Sequence, residues 1–230
     1  MSKGIGEALI RPMKNALDDM PVHVRQLAEM FRKHGNVHKR NSSDITDLDA
    51  TDVPSPLQNG WKPDTWTPKD VDRAGKGGRP DPGDYLDADY VKNHLDQFND
   101  GATRIYKTES LDNYGPGNNN TTYVFPTDQL NNLMEQANSP AELAEALGLP
   151  DGFFEGADIQ LRDFGPDELD GLRMPDGNEG GTDENKWIPG GYLPSGIPEA
   201  VIDIPETATG MNNGGYNPSF WPGSPRPLNL

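Results

Sequence analysis

The sequence predicts an α+β fold: a small mixed or antiparallel β core with short helices, preceded by an N-terminal helical segment. Three observations predict it. Apolar residues recur at helical spacing between positions 5 and 31. A Pro/Gly-rich stretch follows, with six Pro and five Gly in residues 51–83. From residue 102 onward, short β-branched and aromatic runs are separated by turn signals.

Ile5, Leu9, Met13, Leu17 and Met20 mark one helical face, Pro21 interrupts, and Val24, Leu27, Ala28 and Phe31 resume the spacing until Gly35. Residues 1–40 therefore read as the helical segment. Two such helices cannot bury both faces alone, so they need each other, the later domain or further sequence as a partner. Residues 41–84 read as a connector, and Trp61 and Trp66 within it predict a strap lying against the domain. Val91, Leu95 and Phe98 mark a helix closed by Asn99-Asp100-Gly101.

The domain proper spans 85–208. Strands are expected at Ala102 to Lys107 and Thr121 to Phe125, with Asn113 to Asn120 as the loop between them. Over residues 140–147, Ser139 is the N-cap, Pro140 the first helical residue and Glu142 the capping-box partner. Gly148 and Pro150 end that helix. Further strands are expected at Ile159 to Asp163, Trp187 to Leu193 and Glu199 to Ile204, and residues 209–230 read as an irregular tail.

Composition narrows the chemistry. Hydrophobic residues are 33% of 230 and the mean hydropathy is −0.80, so the core is modest. No apolar run reaches the roughly 20 residues of a membrane span. No basic region followed by an apolar run marks an ordinary signal peptide. The absence of cysteine removes disulfides, thiol nucleophiles and thiolate metal sites. Net charge is +1 over residues 1–50, −4 over 51–100 and −14 over 101–230. That field repels phosphate backbones, disfavours nucleic acid and steers a basic partner toward the domain.

All four histidines (His23, His34, His38 and His94) precede residue 100. Histidine-dependent triads, histidine-based ribonucleases and most zinc hydrolases are thus excluded from the β-rich part, unless an earlier residue reaches into it. Asp176-Gly177-Asn178-Glu179-Gly180-Gly181 is similar to the opening of a calcium loop, but the twelfth position is Trp187 in place of a bidentate Glu. It reads as an acidic turn, and no metal site is expected.

Arg104-Ile105-Tyr106 opens the domain, Thr121-Thr122-Tyr123 lies on the next strand, and Glu199 begins a late strand. This order resembles the Arg, Ser/Thr, Glu layout of ADP-ribosyltransferase-type and NAD-glycohydrolase toxins. The sequence of a helical segment, a connector and a small C-terminal domain is similar to bacterial polymorphic toxins. The resemblance implies a secreted effector, delivered into a target cell, that cleaves NAD (its substrate) at the nicotinamide–ribose bond. It implies catalytic roles for Glu199, on the ribose and the developing cation, and for Arg104, on the dinucleotide phosphates. Thr122 would shape the site, Tyr106 or Trp187 would stack on a ring of the dinucleotide, and Gly190-Gly191 would let the chain approach it. A cognate immunity protein, basic at its interface, and secretion machinery or a chaperone on residues 1–40 are the implied partners.

Two departures refine this expectation. Thr121-Thr122-Tyr123 inverts the family's aromatic-Ser/Thr-Ser/Thr order. Ile197 stands two residues before Glu199, where arginine-modifying members usually carry Glu or Gln, so hydrolysis or another acceptor is favoured. Two alternatives remain open: a non-enzymatic acidic interaction or structural protein of a secretion or surface assembly, and a toxin domain with nuclease or deaminase-like activity.

Overall fold

The computed structural model describes residues 60–184, 187–193, 195–208 and 218–228, all within one compact unit, residues 45–230. The helices expected between residues 5 and 34 lie outside the described residues, as do His23, His34 and His38.

Helix α1 (Pro68–Ala74) and helix α2 (Pro82–Tyr85) occupy the stretch expected as a connector, and each begins on one of its prolines. Thr67 and Asp70 close a reciprocal capping box on α1: Thr67 N donates to Asp70 Oδ2 at 3.1 Å, and Asp70 N to Thr67 Oγ1 at 3.3 Å. Trp61 stacks on Tyr85 with ring centroids 4.9 Å apart. Val71, Tyr85, Leu86, Met174 and Trp187 bury one cluster, with Trp61, Tyr90 and Val91 against it. The expected strap therefore lies on the domain at Trp61, whereas Trp66 is exposed.

Helix α3 (Ala88–Leu95) runs into a 3-10 turn, Asp96–Phe98. Gly101 then turns the chain at φ 108°, where a Cβ would sit 2.7 Å from the Phe164 carbonyl. Strand β1 (Ala102–Lys107), helix α4 (Thr108–Tyr114), strand β2 (Thr121–Pro126), helix α5 (Thr127–Gln136), helix α6 (Pro140–Ala146) and strand β3 (Ile159–Phe164) follow. Strands β4 (Ala200–Asp203) and β5 (Ser224–Pro227) complete an antiparallel sheet in the order β4-β2-β1-β3-β5. The α+β class is as the sequence predicts.

Both faces of the sheet are covered. On one, Ala102, Val124, Phe164, Ala200 and Ile202 pack with Phe98, Ile204 and Ala208. On the other, pleat alternation places Ile105 and its register partner Leu161. Leu111, Leu130, Leu133 and Leu143 of helices α4, α5 and α6 are also fully buried. Ser139 caps α6, accepting from Glu142 N at 3.2 Å. The Glu142 carboxylate, however, accepts from Asn138 N at 2.9 Å, one residue before the position a capping box prescribes.

Three expectations are corrected. Residues 187–193 form no strand: Gly190 and Gly191 have φ of 104° and 77°, which break an extended run. The stretch bends into an irregular loop with a single bridge, Tyr192↔Pro198. The loop expected over 113–120 begins only after α4, which ends at Tyr114. The tail expected to be irregular ends in β5, paired with β3 from Gln160↔Pro227 to Asp163↔Ser224. Leu228 N donates toward Ile159 O at 3.5 Å, so alternate residues Pro225 and Pro227 turn their nitrogens away from β3.

The register of β1 with β2 covers two pairs, Ala102↔Pro126 and Thr103↔Phe125, whereas β1 follows β3 for six. β2 pairs with β4 from Thr121↔Asp203 to Val124↔Ala200. The sheet thus parts where Arg104 and Tyr106 leave β2. Among the described residues no helix is long and apolar enough to cross a membrane.

Candidate functional site

Glu199 precedes β4 at the end of the loop that starts at Gly190. Its N–H donates to Gly191 O at 2.7 Å, and its carbonyl accepts from His94 Nε2 at 2.9 Å. Both sides of its backbone are fixed. Glu199 is half-buried. Desolvation pushes its pKa up to about 7, the Arg104 guanidinium opposes that rise, and the Glu179 carboxylate adds to it. Arg104 and Glu199, distant in sequence, are therefore electrostatically coupled.

Arg104 lies on β1 with its guanidinium carbon 5.6 Å from the Tyr106 ring centroid. Its Nε is buried without a hydrogen-bond partner among the described residues. Tyr106 crosses the gap toward β2: its hydroxyl donates to Pro116 O at 2.5 Å and lies 3.3 Å from Thr122 Oγ1. Thr122 is buried with it. Arg104, Tyr106 and Thr122 thus gather at the parting of the sheet, and the Arg104 charge reaches Glu199.

The geometry corrects three of the expected roles. Tyr106 is a buried spacer with its hydroxyl already engaged, and burial raises its pKa further; it is no open stacking platform. Trp187 belongs to the other cluster. The Arg79 guanidinium lies 4.3 Å from its ring centroid, and a Cβ on Gly177 would come within 2.7 Å of the same ring, so it is closed to a ligand. Gly191 does permit a close approach, but to protein: a Cβ there would sit 2.8 Å from His94 Cε1 and 3.0 Å from Met174 Cγ.

Residues that sequence reasoning did not assign also converge here. His94 is 1% exposed. Burial lowers its pKa to about 4 against the opposing hydrogen bond to the Glu199 carbonyl. It is the one histidine among the described residues, and it does reach the β-rich part. Glu179 accepts from Asp176 N at 3.0 Å, Gly177 N at 2.9 Å and Tyr123 Oη at 2.9 Å. Tyr123, beside Thr122 on β2, also contacts the Thr182 hydroxyl, and desolvation with the charges of Glu179 and Glu199 raises its pKa.

The calcium-like stretch spends its oxygens internally. Asp176 Oδ1 accepts from Asn178 N at 2.7 Å, and Asn178 Oδ1 accepts from Gly77 N at 2.6 Å. Among the described residues no group of three or more His, Asp or Glu side chains could hold a metal ion. An open depression lined by Thr65, Trp66, Asp70, Arg73, Ala74 and Asp84 contains none of the groups around Glu199.

Chemically, the arrangement offers a carboxyl that titrates near neutrality, a guanidinium that favours its ionised form, and a second carboxylate that opposes it. Such a set can stabilise a developing cation while binding an anion nearby. No family model, curated protein or solved structure matches this chain.

Proposed function

We propose that the domain cleaves a nicotinamide dinucleotide at the bond between nicotinamide and ribose, as the toxic part of a delivered bacterial effector. One observation carries the reading: the half-buried Glu199 carboxyl, pushed up to about 7 by desolvation, has the Arg104 cation as its principal favourable charge. An isolated structural carboxylate has little reason to be desolvated at such a cost. A carboxylate that meets a cationic transition state recovers that cost during reaction.

The chemistry balances without a histidine acid. The carbon–nitrogen bond breaks with its electron pair going to the ring nitrogen, so nicotinamide leaves as a neutral molecule. The ribosyl cation left behind is stabilised by ionised Glu199. Water adds to the anomeric carbon, a proton is released, and ADP-ribose forms. Arg104 holds the phosphates through its guanidinium charge. Ile197, apolar and fully buried, supplies no second carboxylate for activating an arginine acceptor, so hydrolysis is the favoured outcome. The −14 charge of residues 101–230 suits a basic neutralising partner.

Incubating the full chain with NAD and quantifying free nicotinamide tests this. Release by the wild type, reduced about 10³-fold in Glu199→Ala, is the expected result. Release that survives Glu199→Ala removes the site assignment. No release from a folded wild type removes the activity and favours the acidic interaction protein, and degradation of RNA or DNA favours the nuclease.

A further inference from the structure

Three polar side chains of α3 and its 3-10 extension project from one stripe onto one loop. Tyr90 Oη donates to Gly190 O at 2.9 Å, His94 Nε2 meets Glu199 O at 2.9 Å, and Gln97 Nε2 donates to Tyr192 Oη at 2.9 Å. The spacings of four and three residues keep all three on one helical face. The Tyr192 ring also stands edge-on to His94, with centroids 4.8 Å apart. Gln97 is itself oriented by Gln129 Nε2, which donates to Gln97 Oε1 at 3.0 Å.

We propose that this stripe is a positioning device for the Glu199 carboxyl, with His94 as its central positioning residue. The proposal rests on the reading of Glu199 as the acting group. A carbonyl oxygen only accepts, so His94 Nε2 carries the proton and Nδ1 keeps a lone pair. Nδ1 is buried without a partner among the described residues. An orphaned buried nitrogen destabilises a core, and a phenylalanine would fill that space without one. What the imidazole adds is the Nε2–H bond to the residue that carries the carboxyl. Gly191 is part of the same device. Only a residue lacking Cβ lets the chain lie against the ring, and the Gly191 carbonyl holds Glu199 N–H from the other side.

The groups facing Glu199 electrostatically are Arg104, Glu179 and Tyr123, and none belongs to the stripe. His94 therefore acts through placement rather than charge. The test follows the Glu199 carboxyl resonance by carbon-13 NMR across pH in the full chain, for wild type, His94→Phe and His94→Gln.

His94→Phe should lower the Glu199 midpoint by about one unit toward the ordinary Glu value as water reaches a loosened loop. His94→Gln, which keeps a donor, should restore most of it. In the NAD assay, His94→Phe should lose about 100-fold in kcat with little change in KM. A folded His94→Phe protein with the wild-type midpoint overturns the proposal. Should His94→Phe fail to fold, Tyr90→Phe and Gln97→Leu serve instead, each expected to shift the midpoint the same way by less, and an unmoved midpoint in both overturns it. A wild type that releases no nicotinamide defeats the activity, while the midpoints still decide the positioning role.

Discussion

Three arginines sit over aromatic rings among the described residues, and two of them, Arg79 and Arg104, do different things. Arg79 lies 4.3 Å from the Trp187 ring centroid, and its Nη1 donates to the Gly177 carbonyl. It fastens the segment around α1 to the acidic turn. Arg104 lies 5.6 Å from the Tyr106 ring, with an Nε that finds no partner among the described residues and a charge that reaches Glu199. The Nε of each is buried without a hydrogen-bond partner among the described residues; what separates the two is that Arg79 spends Nη1 on a carbonyl, whereas the Arg104 charge acts on a carboxyl. A cation coupled to a desolvated carboxyl separates a candidate site from a clasp.

The largest expected effect breaks the comparison directly. Arg104→Ala should cut nicotinamide release about 100-fold and move the Glu199 midpoint above about 7, because the one charge that lowers it is gone. Arg79→Ala should leave the Glu199 midpoint in place and cost about 1–3 kcal/mol of stability, read by denaturant unfolding. Equal movement of the Glu199 midpoint in both variants would erase the distinction.

A second contrast lies in pH. The folded pKa of Glu199 is raised from 4.5 to about 7, so the folded state holds a proton that the unfolded state releases. Its contribution is favourable below 4.5 and is lost as pH rises through about 7, by about 3 kcal/mol. His94 is lowered from 6.5 to about 4, so its contribution is intact above 6.5 and lost as pH falls through about 4, by a similar amount. Unfolding free energies measured from pH 4 to 8 should therefore fall less steeply toward high pH in Glu199→Gln. They should fall less steeply toward low pH in His94→Phe.

The smallest effect belongs to the clasp side alone. Thr67→Ala should cost about 1 kcal/mol through the α1 cap and leave nicotinamide release unchanged. A change in release would tie α1 to the site.

Much of the fold was legible because local signals and tertiary packing agree. The β-branched runs at Ala102–Lys107 and Ile159–Phe164 are strands, and the Ser139-Pro140 start holds. Helices α4 and α5 were not legible. The first buries a single residue, Leu111, and neither has a side-chain cap at its start. The run from Trp187 to Leu193 reads as a strand because its aromatic and branched residues are bulky, but their partners are α3 and the Met174 cluster rather than a neighbouring strand. Of the proposed site, Arg104, Thr122 and Glu199 were singled out by residue type and order. His94 was not, since its contact with Glu199 spans 105 positions and a lone buried histidine carries no local pattern. Glu179 sat inside a stretch read as an acidic turn; the hydroxyl and amide donors that engage it come from β2 and its own turn.

The proline pair of β5 has a consequence for solubility. At an edge strand the outward-facing amides are the docking points for a stray extended chain. Pro225 and Pro227 hold those outward positions and offer no hydrogen there, so a sixth strand would find acceptors but no donors along this rim. The β5 edge is in that sense self-terminating, and a neighbouring molecule meets there a border it cannot extend.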